Sequence, residues 1–180
     1  MRHAIRGSVA IDELQQLSGE AAHAKMRELL ALFPIAFMVT GAAGRTNARP
    51  IGVVGDHAAF DGTLWFITDR RSEKIQEIAL GPATSLIFQN DARGIYLYLR
   101  GRATAIDDRE QVSRLYTPVQ RTWFPDGPDD PNLLLIRFDA EDARYWEGHQ
   151  SRTRLALAFV KSVVTGEPGR SGDAGVADLR

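Results

Sequence analysis

The chain contains no cysteine, which excludes disulfides, thiolate metal sites and cysteine nucleophiles at a stroke. Histidine is scarce: His3, His23, His57 and His149 are scattered without ligand spacing, so no metal site is expected. His57 follows a strand in a loop and is expected at the surface, although that position would also let it line a pocket. Neither sign of charge dominates. A net charge of −1 removes the basic surface that a non-specific nucleic-acid binder needs, and no nucleic-acid partner is expected. Long apolar runs are missing too, and the opening MRHAIRGSVAIDELQQ lacks the hydrophobic core of a signal peptide. The expectation is therefore a cytoplasmic protein with no membrane partner. No glycine-rich dinucleotide fingerprint follows a strand, because the glycines of GAAGRTNARP join two strands instead of opening a helix. Ser8, Ser85 and Ser113 carry no nucleophile-elbow motif. The run around Asp126, Asp129 and Asp130 is interrupted by prolines and lacks a closing bidentate glutamate, so it reads as a rigid acidic turn.

What remains is an ordinary globular composition, 44% apolar and 25% charged, over 180 residues. That is enough for one domain with a real core. Residues 1–17 read as an arm. From Ser18 a helix is expected, with Met26, Leu29, Leu30 and Phe33 at helical spacing and Pro34 as its stop. Two strands follow, 35–40 and 47–54, joined as a hairpin. In TLWFIT, Leu64 and Phe66 face one way while Trp65 and Ile67 face the other. SEKIQEIAL is a helix ended by Gly81 and Pro82. ATSLIFQN and GIYLYLRGRATAI are strands, and in the second Ile95, Leu97 and Leu99 alternate with Tyr96, Tyr98 and Arg100. DDREQVSRLY is a third helix with acidic residues in its first turn. A Pro/Gly/Asp-rich segment then leads to two short strands, NLLLIRF and ARYWEG. A last helix is expected over 153–165, and 167–180 reads as a disordered tail. With six or seven strands and inserted helices, the fold class is α+β, built on an antiparallel barrel over residues 18–166.

The segment FITDRRSEKIQEI concentrates chemistry. A strand ending in a hydroxyl passes through a basic turn into a helix that opens on Ser72. Thr68 and Ser72 offer hydroxyls, Arg70, Arg71 and Lys74 offer cations, and the helix start offers unsatisfied N–H groups with a partial positive charge. A phosphate monoester wants that set. Asp69 or Ser72 as an N-cap, followed by a solvated charged face, accounts for the same residues without a ligand.

These stretches resemble the pyridoxamine 5′-phosphate oxidase-like flavoproteins, and within them the general stress protein 26 group. The resemblance is carried in order by ARPIG, LWFITDRRSEKIQEI, YLRGRATAIDD and WFPDGPDDP followed by ARYWEG. It implies a split β-barrel that dimerises around FMN, with FAD or a deazaflavin as lesser alternatives and haem as a more distant one. By position, Arg49 would contact the flavin phosphate or ribityl chain, while Pro50 and Ile51 run their backbone along the ring. Ile67 and Thr68 would continue that wall, with Thr68, Ser72 and Lys74 around the phosphate. Trp146 and Tyr96 would meet the flavin of the second subunit, and Trp123 with Phe124 would cover the site. Glu73 stands where the oxidases have a second basic residue, leaving Arg70 or Arg71 to replace it. Arg152 matches a substrate-binding arginine of the oxidases, but Arg154 stands where they have histidine.

The resemblance therefore implies a flavoprotein, either an FMN-dependent oxidoreductase on an unknown small substrate or a non-catalytic flavin-binding stress protein, a cofactor reservoir or redox sensor. No side chain offers itself as a catalytic acid or base.

Overall fold

Apolar alternation and a few turn residues lay out the chain. The computed structural model describes residues 14–42, 44–148 and 172–180. In chain order it has β1 (Gln15–Leu17), α1 (Gly19–Leu30), β2 (Ile35–Ala42), β3 (Arg45–Val54), β4 (Thr63–Asp69) and α2 (Glu73–Leu80). There follow β5 (Ala83–Asn90), β6 (Ile95–Ile106), α3 (Arg109–Leu115), β7 (Leu133–Gly148) and β8 (Gly172–Asp178). The connection from α3 to β7 contains two 3₁₀ turns, Pro118–Thr122 and Gly127–Asp129.

The result is a mostly antiparallel sheet with three α-helices among the described residues, an α+β fold. The strand order is β1-β8-β7-β4-β3-β2-β5-β6, and β6 pairs again with β7. Six strands, β7-β4-β3-β2-β5-β6, therefore close into a ring, with β8 and β1 continuing outside it along the second half of β7. Among the described residues only β1 and β8 run parallel.

The ring interior is the main core. Leu64 and Phe66 of β4, Leu86 and Phe88 of β5, and Leu97 and Leu99 of β6 all point into it, as a two-residue period requires. Met26, Leu29 and Leu30 of α1 join the same cluster, because Ala, Leu, Met, Lys and Glu favour helix and the apolar ones fall on one face. On the other face of β4, Trp65 and Ile67 pack with α3 and its connection against Val112, Phe124, Leu133 and Leu135. Outward residues of β2, β5, β6 and the end of β7 stay exposed, among them Phe37, Ile87, Tyr96 and Trp146.

Two features govern how the ring closes. Between β6 and β7 the register slips, so that Arg100 faces Asp142 but Gly101 faces Ala140, leaving Glu141 as an extra residue. Gly101 is needed there: a Cβ at that position would run into the carbonyl of Asp139. Between β3 and β4 the ladder is short, with only Val53 and Val54 paired to Phe66 and Trp65. Ahead of that point the two strands part.

Several expectations change. NLLLIRF and ARYWEG are not two strands but one, β7, because the extra residue bends it and lets it exchange β4 for β8 without breaking its ladder to β6. The tail expected to be disordered over 167–180 instead supplies β8 at 172–178, where Ala177 and the following Leu179 are buried. Gly175 of β8 lies against the ring of Tyr145, which occupies the place of the missing side chain. The arm also contributes: its residues 15–17 pair with β8, and Tyr145 Oη donates to Gln15 Oε1 at 3.0 Å. The helix expected over 153–165, with Arg152 and Arg154, lies outside the described residues. No helix among the described residues is long and apolar enough to cross a membrane.

Candidate functional site

Where β3 and β4 part, their inner faces meet α2. Arg49 pairs in register with the buried Met38 and so belongs to the inward face of β3. Thr68 belongs to the inward face of β4, beyond Leu64 and Phe66, and is itself buried. Lys74, in the first turn of α2, extends Nζ to within 2.9 Å of Thr68 Oγ1. Ser72 occupies the N-cap position of α2 without a side-chain capping bond, and its hydroxyl stands 3.4 Å from that of Thr68. Asp69 and Ser72 do not divide the capping role as a simple surface helix would have them do. The Ser72 hydroxyl is turned into the cluster.

Pro50 fits the same opening. Val53 N–H donates toward β2, to Pro34 O at 3.2 Å, so by alternation the nitrogen of Pro50 faces the side where β4 has parted. A proline costs a ladder bond only where a partner exists. Ile51 turns its side chain into the core and, by the same alternation, its backbone N–H toward β2. Ile67 packs in the second cluster, beside α3.

Arg49 is held in an unexpected way. Its guanidinium donates to Thr40 Oγ1 and to Glu77 Oε2, the latter at 2.7 Å. The Glu77 carboxylate accepts from Thr40 and Asn47 as well. Three donors on two strands therefore converge on one carboxylate of α2, and the hydroxyl of Thr40 foremost holds Glu77 below the ordinary glutamate pKa. Burial lowers the pKa of Lys74, and the nearby charge of Arg49 lowers it further. An anion placed between Arg49 and Lys74 would relieve that repulsion. Thr40, Asn47 and Glu77 were not singled out from the sequence. Glu77 sits three residues after Lys74, on the same side of a helix, and that spacing was the available signal.

The other two cations of the segment are turned away from this cluster. Arg71 folds back on Asp69, with Nε at 2.9 Å from Oδ1, and this pairing drives the Asp69 carboxyl down to about 2. Arg70 Nη2 lies 2.8 Å from Asp107 Oδ2, ahead of α3. Arg70 and Arg71, the residues expected to replace the basic one at Glu73, are thus each paired with a carboxylate. Glu73 is exposed.

The aromatic candidates lie elsewhere. Tyr96 and Trp146 are cross-strand partners on the outer face of β6 and β7, both about two-fifths exposed at 41% and 43%. Tyr96 Oη donates to Asp91 Oδ1 at 3.1 Å. In the ring of six strands, β6 stands three steps from β3 in either direction, on the opposite wall. One chain cannot bring its own Arg49 and Tyr96 to the same ligand. Trp123 follows the first 3₁₀ turn of the α3–β7 connection and is 68% exposed, whereas its neighbour Phe124 is buried in the second cluster.

A separate cavity of about 410 Å³ opens between the end of β3, β4, β7 and α3. His57 lines it together with Trp65, Gln111 and Arg137, and its Nε2 is buried with no hydrogen-bond partner among the described residues. Burial lowers its pKa. His57 thus lines a pocket instead of standing free at the surface.

Comparison with known proteins places the family and the fold. A family model described as "Pyridoxamine 5′-phosphate oxidase like" matches residues 21–169. Protein bli-3 of Neurospora crassa is 26% identical over 113 residues, which are 58% of this chain and 54% of that protein. The chain thus spans about half the length of that relative. A crystal structure described as a general stress protein 26, from Jannaschia sp. CCS1, superposes with a TM-score of 0.69 at 22% identity, covering 86% of this chain and 96% of the other. Another, described as the general stress FMN/FAD binding protein of Xanthomonas citri, gives 0.64 at 23% identity, covering 74% and 93%. Likeness at that level of identity establishes a shared fold.

Proposed function

Given that the chain belongs to the pyridoxamine 5′-phosphate oxidase-like family, we propose that it binds a flavin, FMN in the first place, at the opening between β3 and β4. The observation that carries this reading is the convergence of Arg49, Thr68, Ser72 and Lys74 at the start of α2, with the ammonium of Lys74 half-buried against a single hydroxyl. A half-buried lysine that is bonded only to a neutral hydroxyl stands ready for an anion. The helix start adds N–H donors and a partial positive charge. The edge of β3 at Pro50 and Ile51, beside the opening, is the surface along which the isoalloxazine ring would lie. The Xanthomonas relative is described as binding FMN or FAD, which supports the same ligand class.

In this reading two copies of the chain form a split-barrel dimer around two flavins. Support comes from the outward aromatics. Tyr96 and Trp146 stand on the wall opposite Arg49, and they can reach a flavin only if it belongs to another copy. Phe37 pairs with Ile87, and Ile87 with Tyr98, extending the same exposed apolar face.

Bound flavin would supply hydride or electron transfer, with the protein holding and orienting it. We assign the chain as a flavin-dependent oxidoreductase on a small substrate. The alternative, a flavin-binding stress protein without turnover, draws support from how the titratable groups of the cluster are used among the described residues: Arg49 is paired with Glu77, and Lys74 is the group assigned to the phosphate. Purified protein is expected to be yellow, or to become so with FMN, and extraction of the chromophore identifies it. Anaerobic mixing with NADH and NADPH separates the two roles, since only the oxidoreductase bleaches. Lys74→Ala is expected to weaken FMN by ten-fold or more while leaving riboflavin within about two-fold, because the lost partner is the phosphate. Equal losses for both flavins would show that Lys74 has another role.

A further inference from the structure

Resting on the flavin reading, we propose that Glu77 is a built-in counter-anion of the phosphate pocket. It engages Arg49 in place of the ligand and keeps the hold on flavin phosphate weak enough for exchange. The geometry is specific. Glu77 lies one turn beyond Lys74 on α2, is only 14% exposed at its side chain, and takes three donors: Thr40 of β2, and Asn47 and Arg49 of β3. Arg49, whose charge acts on Lys74, is thereby committed to a carboxylate before any anion arrives.

The charge balance around the opening points the same way. Arg49 faces Glu77, Arg70 faces Asp107 and Arg71 faces Asp69, each within 2.8 Å or less. Of the two cations that face the opening, Arg49 and Lys74, one is therefore already neutralised by Glu77, where a pocket built to retain a dianion permanently would leave both free. Arg49 has donors left over and can serve a phosphate while keeping Glu77, but the phosphate then lies near a fixed negative charge. The groups facing Glu77 are Thr40, Asn47 and Arg49 from the strands and Lys74 from its own helix. Only Arg49 and Lys74 among them are charged.

The test compares FMN with riboflavin, which lacks the phosphate, by flavin fluorescence titration of the full chain at low salt. Glu77→Gln keeps a hydrogen-bonding side chain in place and removes the charge. FMN is expected to bind about ten-fold tighter to this variant, as removing one nearby charge from a dianion site allows. Riboflavin should stay within about two-fold. Glu77→Ala carries the same expectation and serves if the glutamine variant folds poorly. If Glu77 merely props Arg49 in place, both variants lose FMN affinity, and that result, like an unchanged ratio of FMN to riboflavin, overturns the inference alone. Wild-type protein that takes up neither flavin overturns the flavin reading and this inference with it.

Discussion

A carboxylate accepting three hydrogen bonds at a partly buried helix position titrates differently in the folded and unfolded chain. Glu77 is such a group, with its folded pKa depressed by Thr40 first, then by Asn47 and Arg49. The sign follows from linkage. Its stabilising contribution is complete above the unfolded value, about 4.3, and is lost as pH falls through the lower folded value. The melting temperature of the wild type should therefore fall more steeply below about pH 4.5 than that of Glu77→Gln, so that the gap between them narrows. Thermal melts from pH 7 down to pH 3 measure it, and a constant gap would mean the carboxylate gains nothing from its three partners. At this scale the sequence was legible where a residue's own chemistry announced it. Thr68, Ser72 and Lys74 lie within seven residues of one another, and their convergence needs only a strand, a turn and a helix. Thr40 and Asn47 lie 37 and 30 residues upstream of Glu77, and nothing local connects them.

The longest element, β7, shows how one irregularity can serve several strands. It pairs with β4 through its first half, β8 through its second and β6 almost throughout. The change of partner falls at the slip opposite Arg100 and Gly101. Gly101→Ala is expected to destabilise the protein by about 2 kcal/mol or more, since the added methyl meets the Asp139 carbonyl first and the fully buried Phe138 ring beside it. Chemical denaturation of the variant checks this; a loss below about 0.5 kcal/mol would mean that β6 and β7 separate freely at that point. The alternation along β4 and β6 was readable because each strand has one face in the core. The last strand was not. GDAGVAD has small residues and no aromatic, and it forms a strand only because Tyr145 needs a glycine opposite it and Ala177 fits beneath α1 and β7.

At the scale of the whole molecule, ring closure sorts the candidate residues onto opposite walls. Arg49, Thr68 and Lys74 gather at the β3–β4 opening, while Phe37, Ile87, Tyr96 and Trp146 remain uncovered on outward faces. If those faces join two copies, Ile87→Glu should convert a dimer to a monomer in analytical ultracentrifugation. The same variant should lose flavin affinity although it touches no residue of the phosphate pocket. Because Ile87 is 42% exposed in the single chain, the folded protomer should be nearly unaffected. A variant that remains dimeric places the contact on another face.

The sequence by itself determined the α+β class, the order of most elements, the inward faces of β4 and β6, and the strand–turn–helix that holds Thr68, Ser72 and Lys74. All of these depend on neighbours within a dozen residues, through side-chain period, turn chemistry and helix propensity. Tertiary structure alone decided that Arg70 turns to Asp107, that Arg49 is already held by Glu77, and that 172–178 is a strand. Ion pairing and strand pairing are settled by which groups come closest in space. In a sheet that closes on itself, those groups come from distant parts of the chain.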